Sequence, residues 1–145
     1  MRRDRGFETV ERPADVAGIV AELAPCSAVL LECLGTLAAN EMFGEDGDVM
    51  PPDAVVSKIY QAVSLIKARV SDLVIVSNDV FSDGAIYQAG TEDYRRALGT
   101  LHVLMARECD VAVECVCGLP VIHKRRQGGS AAMSAAEFVC EENDR

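Results

Sequence analysis

Ala28-Val29-Leu30-Leu31-Glu32 and, further along, Leu73-Val74-Ile75-Val76-Ser77-Asn78-Asp79 are the two stretches that decide the fold. Each is a short, unbroken apolar run closed by polar side chains. Such runs read as strands of a parallel sheet buried on both faces, whereas a sheet wet on one side alternates apolar and polar residues.

Working outward, the segments around them return to helical spacing. Leu34 to Phe43 carries Leu37, Met42 and Phe43 as its apolar positions, and Gly44 to Pro52 is a loop. Asp53 is placed to cap a long helix through Val70, with Val56, Ile59, Val63 and Ile66 on one face. Before the first strand, Pro13 and Asp15 open a helix carrying Val16, Ile19, Val20 and Leu23, which Pro25 closes. After the second strand, a loop runs from Val80 to Gly90. Thr91 then caps a helix through Arg107 with Tyr94, Leu98, Leu101 and Met105 inside. Asp110 leads into a third strand, Val111 to Val116, ended by Gly118-Leu119-Pro120. From about Lys124 the chain is Gly-, Ser- and Ala-rich and then acidic, so residues 125–145 read as a tail that is loose or forms a short helix over 131–139. Strands separated by helices predict right-handed crossovers and a parallel sheet with helices on both faces, in one domain over 1–124.

Bulk composition agrees with a globular chain. Of 145 residues, half are apolar and about a quarter charged, which excludes wholesale disorder. A net charge of −9 repels phosphate backbones, so nucleic acid is an unsuitable partner. The basic residues gather near the ends: Arg2, Arg3, Arg5 and Arg12, then Lys124, Arg125 and Arg126. The first cluster is either solvated terminal charge or an anion contact. The charged start is not a secretory leader, and no run approaches the ~20 apolar residues that span a bilayer. The chain is expected in the cytoplasm, with its six cysteines mostly reduced.

Ligands of open α/β sheets collect where the strands end at their carboxyl side. Glu32 follows the first strand there, and Asn78 and Asp79 follow the second. A carboxylate in that position commonly holds Mg²⁺ beside a nucleotide phosphate; it serves equally well as the cap of the next helix. Neither G-x-x-x-x-G-K-[ST] nor G-x-G-x-x-G occurs, so these residues contain no phosphate cradle of their own. Cys115 and Cys117, two apart on a strand and without a C-x-x-C partner pair, read as buried thiols and not as zinc ligands. His102 reads as a packed histidine, and Arg95 and Arg96 as a solvated or ion-pairing face, with one of the two side chains able to reach the site.

Several segments together resemble one family. They are Phe7-Glu8-Thr9-Val10-Glu11-Arg12-Pro13, Leu30-Leu31-Glu32-Cys33-Leu34 with Ala39-Asn40-Glu41-Met42-Phe43, and Val74-Ile75-Val76-Ser77-Asn78-Asp79-Val80. Arg96-Ala97-Leu98-Gly99 through Asp110-Val111, and Cys117-Gly118-Leu119-Pro120, continue the likeness. Their order and spacing over roughly residues 3–124 are similar to the C-terminal portion of the bifunctional adenosylcobinamide kinase / adenosylcobinamide-phosphate guanylyltransferase family. The resemblance implies a three-layer α/β fold of the P-loop nucleotide-binding (RecA-like) type, truncated at its N-terminus. It implies Mg²⁺ with GTP or ATP, phosphorylation of adenosylcobinamide, and GMP transfer to the product through a guanylylated histidine.

By the same resemblance Glu11 and Glu32 contact the guanine nucleotide, and Glu32 is also the metal-holding acid. Asn78 and Asp79 match the next strand-end motif, with Asp79 where the family more often has Glu. Arg2 and Arg3 fall beside the nucleotide-contacting stretch. The phosphate loop and the guanylylated histidine are expected upstream of Met1. Neither His102 nor His123 takes that histidine's place, and His102 stands where the family usually has asparagine. A mis-set start, a split gene and a remnant all fit this pattern, and so the isolated chain is expected to be inactive. A homo-oligomer or a complementing N-terminal fragment is the expected partner. Two other readings stay open: a non-catalytic module that binds nucleotide or a partner, and part of another P-loop-like kinase acting on a different substrate.

Overall fold

A computed structural model of the protein describes residues 6, 8–44, 48–82 and 84–126. The chain divides into two compact units, Met1–Leu101 and His102–Arg145. The expected helix at 131–139 lies outside the described residues.

The first unit is mixed α/β. Its elements are a 3-10 turn at Val16–Ile19, β1 at Ala28–Glu32, α1 at Leu34–Met42, α2 at Pro52–Arg69, β2 at Asp72–Val76 and the first part of α3, which spans Ala89–Glu108. β1 and β2 pair in parallel, from Ala28 opposite Asp72 to Glu32 opposite Val76. Both strands therefore end at one edge, as the two apolar runs predict. Their core is largely helical. Leu34, Leu37, Ala38 and Met42 of α1 are buried with Val55, Ile59, Ala62, Val63 and Ile66 of α2. Ala97, Leu98 and Leu101 of α3 and Val16 and Ile19 of the 3-10 turn are buried as well.

Several expectations change. The strands are not covered on both faces: Val29, Leu31, Leu73 and Ile75 are half-buried, while Leu30, Val74 and Val76 alternate with them as exposed residues. The helix expected between Pro13 and Pro25 shrinks to one 3-10 turn. Asp15 opens it in the left-handed region at φ 52°, and Val16 and Ile19, three apart, eclipse on one side as 3-10 geometry requires. Pro51, not Asp53, is the N-cap of α2; Asp53 lies in the first turn, where its charge favours the helix dipole. The α2 stripe begins at Val55 instead of Val56, and Tyr94 and Met105 of α3 are only half-buried.

The largest correction is in the second unit. The third strand, β3 at Val111–Val116, pairs antiparallel with β4 at Leu119–Arg125. Gly118-Leu119-Pro120 turns the chain back instead of ending the sheet. Cys117 and Gly118 form the two-residue connection at φ 49° and 81°. Positive φ at both central residues is the primed hairpin turn, whose twist suits two antiparallel strands. Among the described residues there are thus two two-stranded sheets, not one three-stranded parallel sheet.

Candidate functional site

Three of the expected site residues, Glu32, Asn78 and Asp79, lie where the paired strands β1 and β2 end. β1 ends at Glu32, and α1 starts immediately after it. The N-cap of α1 is Cys33, in extended conformation, so Glu32 precedes the cap position and does not fill it. Glu32 is exposed at this edge.

Cys33 and Asn78 lie 45 residues apart in sequence, and the parallel register brings them together: the Cys33 thiol donates to Asn78 Oδ1 at 2.6 Å. Gly35 completes this corner. A Cβ there would lie 3.1 Å from Asn78 Oδ1 and 3.2 Å from the Tyr94 hydroxyl, so even an added methyl would require both side chains to give by a few tenths of an ångström. Tyr94 of α3 donates its hydroxyl to the Gly35 carbonyl at 3.3 Å. Its phenol is held above its ordinary pKa of 10.0, first by burial and second by the nearby Cys33.

Asp79, the other acid of the strand-end motif, shapes its own loop. Its Oδ1 accepts the Phe81 N–H at 2.9 Å and its Oδ2 accepts the Ser82 hydroxyl at 2.5 Å. This is an Asx-type turn, the usual work of an aspartate at a loop start. Arg95 ties down the rest of that loop by donating to the Val80, Phe81 and Ala85 carbonyls, and it also pairs with Glu92 at 3.1 Å. Its guanidinium lies 5.4 Å from the centre of the Tyr87 ring. An open cavity of about 380 Å³ is lined by Asp79, Val80, Tyr87, Thr91, Tyr94 and Arg95. Arg95 is therefore the arginine of the pair that reaches this edge, and Arg96 pairs with Asp93 at 2.5 Å.

Glu11 is exposed on the segment leading to the 3-10 turn. That segment is held by two residues of the stretch 39–43 to which the sequence pattern gives no role of their own. Asn40 donates to the Pro13 carbonyl at 2.9 Å, and the Asp15 N–H donates to Glu41 Oε1 at 2.6 Å. The other Glu41 oxygen accepts from Lys58 at 2.7 Å. Arg2 and Arg3 lie outside the described residues.

The remaining candidates sit elsewhere. His102 is half-buried on α3, and His123 pairs with Glu114 at 2.7 Å in the hairpin. Cys115 and Cys117 are exposed free thiols, not buried ones, and Cys117 belongs to the turn and not to the strand. Among the described residues, no three His, Cys, Asp or Glu side chains converge as a metal site. A lone strand-end carboxylate such as that of Glu32 would suit only a cation, such as Mg²⁺, that takes most of its ligands from nucleotide phosphates and water. Among the described residues, no helix is long and apolar enough to cross a membrane.

Comparison with known proteins adds one finding. The family model described as cobinamide kinase / cobinamide phosphate guanyltransferase matches residues 1–122. No curated protein matches the chain.

Proposed function

Because the chain belongs to the cobinamide kinase / cobinamide phosphate guanyltransferase family, we propose that its strand-end edge is the nucleotide-facing side of that enzyme of cobalamin assembly. The observation that carries this reading is the position of Glu32, an exposed residue, at the common end of a parallel strand pair. An acid in that position holds a metal–nucleotide complex in α/β folds whose ligands gather at the carboxyl edge. On this reading the fold is of the P-loop type. GTP or ATP binds with Mg²⁺, which neutralises phosphate charge.

Each side chain then has a role. Glu32 orients the metal-bound phosphates. Asn78, held by Cys33, keeps the edge in one geometry, and Asp79 shapes the loop at the next strand end. Glu11 faces the guanine nucleotide from the preceding segment, and Arg2 and Arg3 serve as anion contacts. The enzyme phosphorylates the aminopropanol arm of adenosylcobinamide and then transfers GMP to that phosphate.

The 145 residues hold no G-x-x-x-x-G-K-[ST] loop, and neither His102 nor His123 stands at the resembled position of the guanylylated histidine. Phosphoryl transfer depends on a preorganised phosphate clamp. Activity is therefore expected only when such a loop and histidine are supplied, from a preceding segment or from another chain. A homo-oligomer in the cytoplasm is the proposed working form. The missing loop also favours one alternative, a module that binds nucleotide without turning it over.

Titration calorimetry of the 145-residue chain with GTP and Mg²⁺ tests the edge. Saturable binding that Glu32→Ala weakens about tenfold, roughly 1.4 kcal/mol, is expected. Unchanged affinity in that variant overturns the assignment. Transfer of GMP to adenosylcobinamide phosphate by these residues alone would refute the need for a supplied loop. GTP binding that persists without transfer, even with that loop restored, selects the alternative.

A further inference from the structure

The one buried charged residue among the described residues lies away from the strand-end edge. Glu41 is 7% exposed, on the inner stripe of α1 with Leu34, Leu37 and Ala38. Placing a carboxylate there is costly, because ions leave water at a penalty of several kcal/mol each and hydrophobic replacements are often neutral or better. A chain selected for stability alone would carry leucine or methionine at this position.

What the carboxylate does is specific. One oxygen takes the backbone N–H of Asp15 at 2.6 Å, and the other takes Lys58 of α2 at 2.7 Å. Asn40, the preceding residue, takes hold of the Pro13 carbonyl at 2.9 Å. Two consecutive α1 side chains thus grip a donor and an acceptor of a single turn. Asp15 sits at φ 52°, a conformation an aspartate tolerates but does not prefer, so something must hold it there. Arg12 closes the turn from outside, its Nε donating to the Asp15 carbonyl at 3.2 Å, while Val16 and Ile19 bury the far side.

We infer that Glu41 is a positioning residue: with Asn40 it clamps the Pro13–Asp15 turn to the far end of α1 and so fixes where Glu11 is presented relative to Glu32. The helix is the strut between them. It starts directly after the Glu32–Cys33 corner and carries the clamp in its last turn; its nine residues span about 13 Å. The presentation of Glu11 rests on the nucleotide reading above; the clamp itself does not.

Two variants separate the parts of the device. Glu41→Gln keeps an oxygen for the Asp15 N–H, and Lys58, whose side chain is 41% exposed, can return to water. Glu41→Ala leaves that N–H without its acceptor. In amide exchange on the full chain, Glu41→Ala is expected to speed exchange at residues 14–20 at least tenfold beyond any change at the α2 amides around Ile59. Glu41→Gln should stay within about threefold of the parent. In GTP titration with Mg²⁺, Glu41→Ala should weaken binding at least fivefold and Glu41→Gln should recover most of it. Exchange at 14–20 that moves only in step with α2 overturns the clamp. Local opening without loss of GTP affinity, or a glutamine variant as weak as alanine in binding, overturns the positioning role. If the parent chain binds no GTP, the nucleotide reading fails by itself and exchange alone decides the clamp.

Discussion

The two strand pairs of this chain are assembled on opposite terms. β1 and β2 lie far apart in sequence, with α1 and α2 between them. β3 and β4 are joined by the two residues Cys117 and Gly118 and find each other locally. Distant pairing costs more loop-closure entropy before any contact repays it. In return it gathers chemistry: Glu32, Cys33 and Asn78 come to one edge only because the parallel register puts them there. The hairpin gathers its polar contacts from neighbours instead, as with His123 and Glu114 or Arg126 and Asp110. On the proposed reading, the nucleotide site belongs to the non-local pair.

The sharpest way to break this contrast is to crowd the corner that only the non-local pair creates. Gly35→Val puts a branched side chain where a Cβ already meets Asn78 and Tyr94 at 3.1 and 3.2 Å. Overpacking of this kind costs about 1–3 kcal/mol. Residue-level amide exchange should show the loss across β1, β2 and the start of α1, with the amides of β3 and β4 unchanged. Equal loss in the hairpin would mean that the two pairs unfold as one.

A smaller, reciprocal effect is expected from the hairpin turn. Gly118 sits at φ 81°, and a Cβ added there would meet no atom within 4 Å, so substitution is purely a conformational penalty. Gly118→Ala should cost about 1 kcal/mol, read as faster exchange over Val111–Arg125, while the Cys33–Asn78 corner keeps its protection. A variant that loosened that corner as well would show the pairs to be coupled.

How far the sequence revealed these features follows the same division. The runs at 28–31 and 73–76, and the helices after them, were legible because unbroken apolar strands and 3.6-residue stripes are strong patterns. The parallel pairing of β1 with β2 followed from the helices between them. The same logic misread Val111–Val116, because a strand after a helix was assumed to cross over, and the local turn won instead. Its signal was present in Gly118 followed by Leu119, Val121 and Ile122, but Pro120 argued for an ending. Exposure of Leu30, Val74 and Val76 was not legible, since an apolar run says what a face prefers and not what covers it. Glu41 was the most informative miss. It stands seven residues after Leu34 and four after Leu37, on the buried stripe of its helix. A charge at a core position of an otherwise apolar stripe is the pattern that announces a buried pair.

Tyr94 gives the finest test, because all three tyrosines of the chain, Tyr60, Tyr87 and Tyr94, lie within the unit that holds the parallel pair and none lies in the hairpin. Phenolate absorbance therefore reports on one side of the contrast only. Burial, and after it the charge of Cys33, keeps the Tyr94 phenol protonated beyond its ordinary 10.0. Above pH 10 the folded chain thus retains a proton that the unfolded chain has lost. The resulting stabilisation is fully present below pH 10 and disappears as pH rises through the folded-state value. Tyr94→Phe removes this group, so the difference between parent and variant denaturation midpoints should be flat from pH 8 to 10 and shrink at higher pH. The variant's absorbance titration should lose one phenol that ionises above 10. If the phenol lost in the variant ionises at the ordinary 10.0, Tyr94 is not packed against the Cys33–Gly35 corner, and the non-local pair loses the closed geometry that sets it apart from the hairpin.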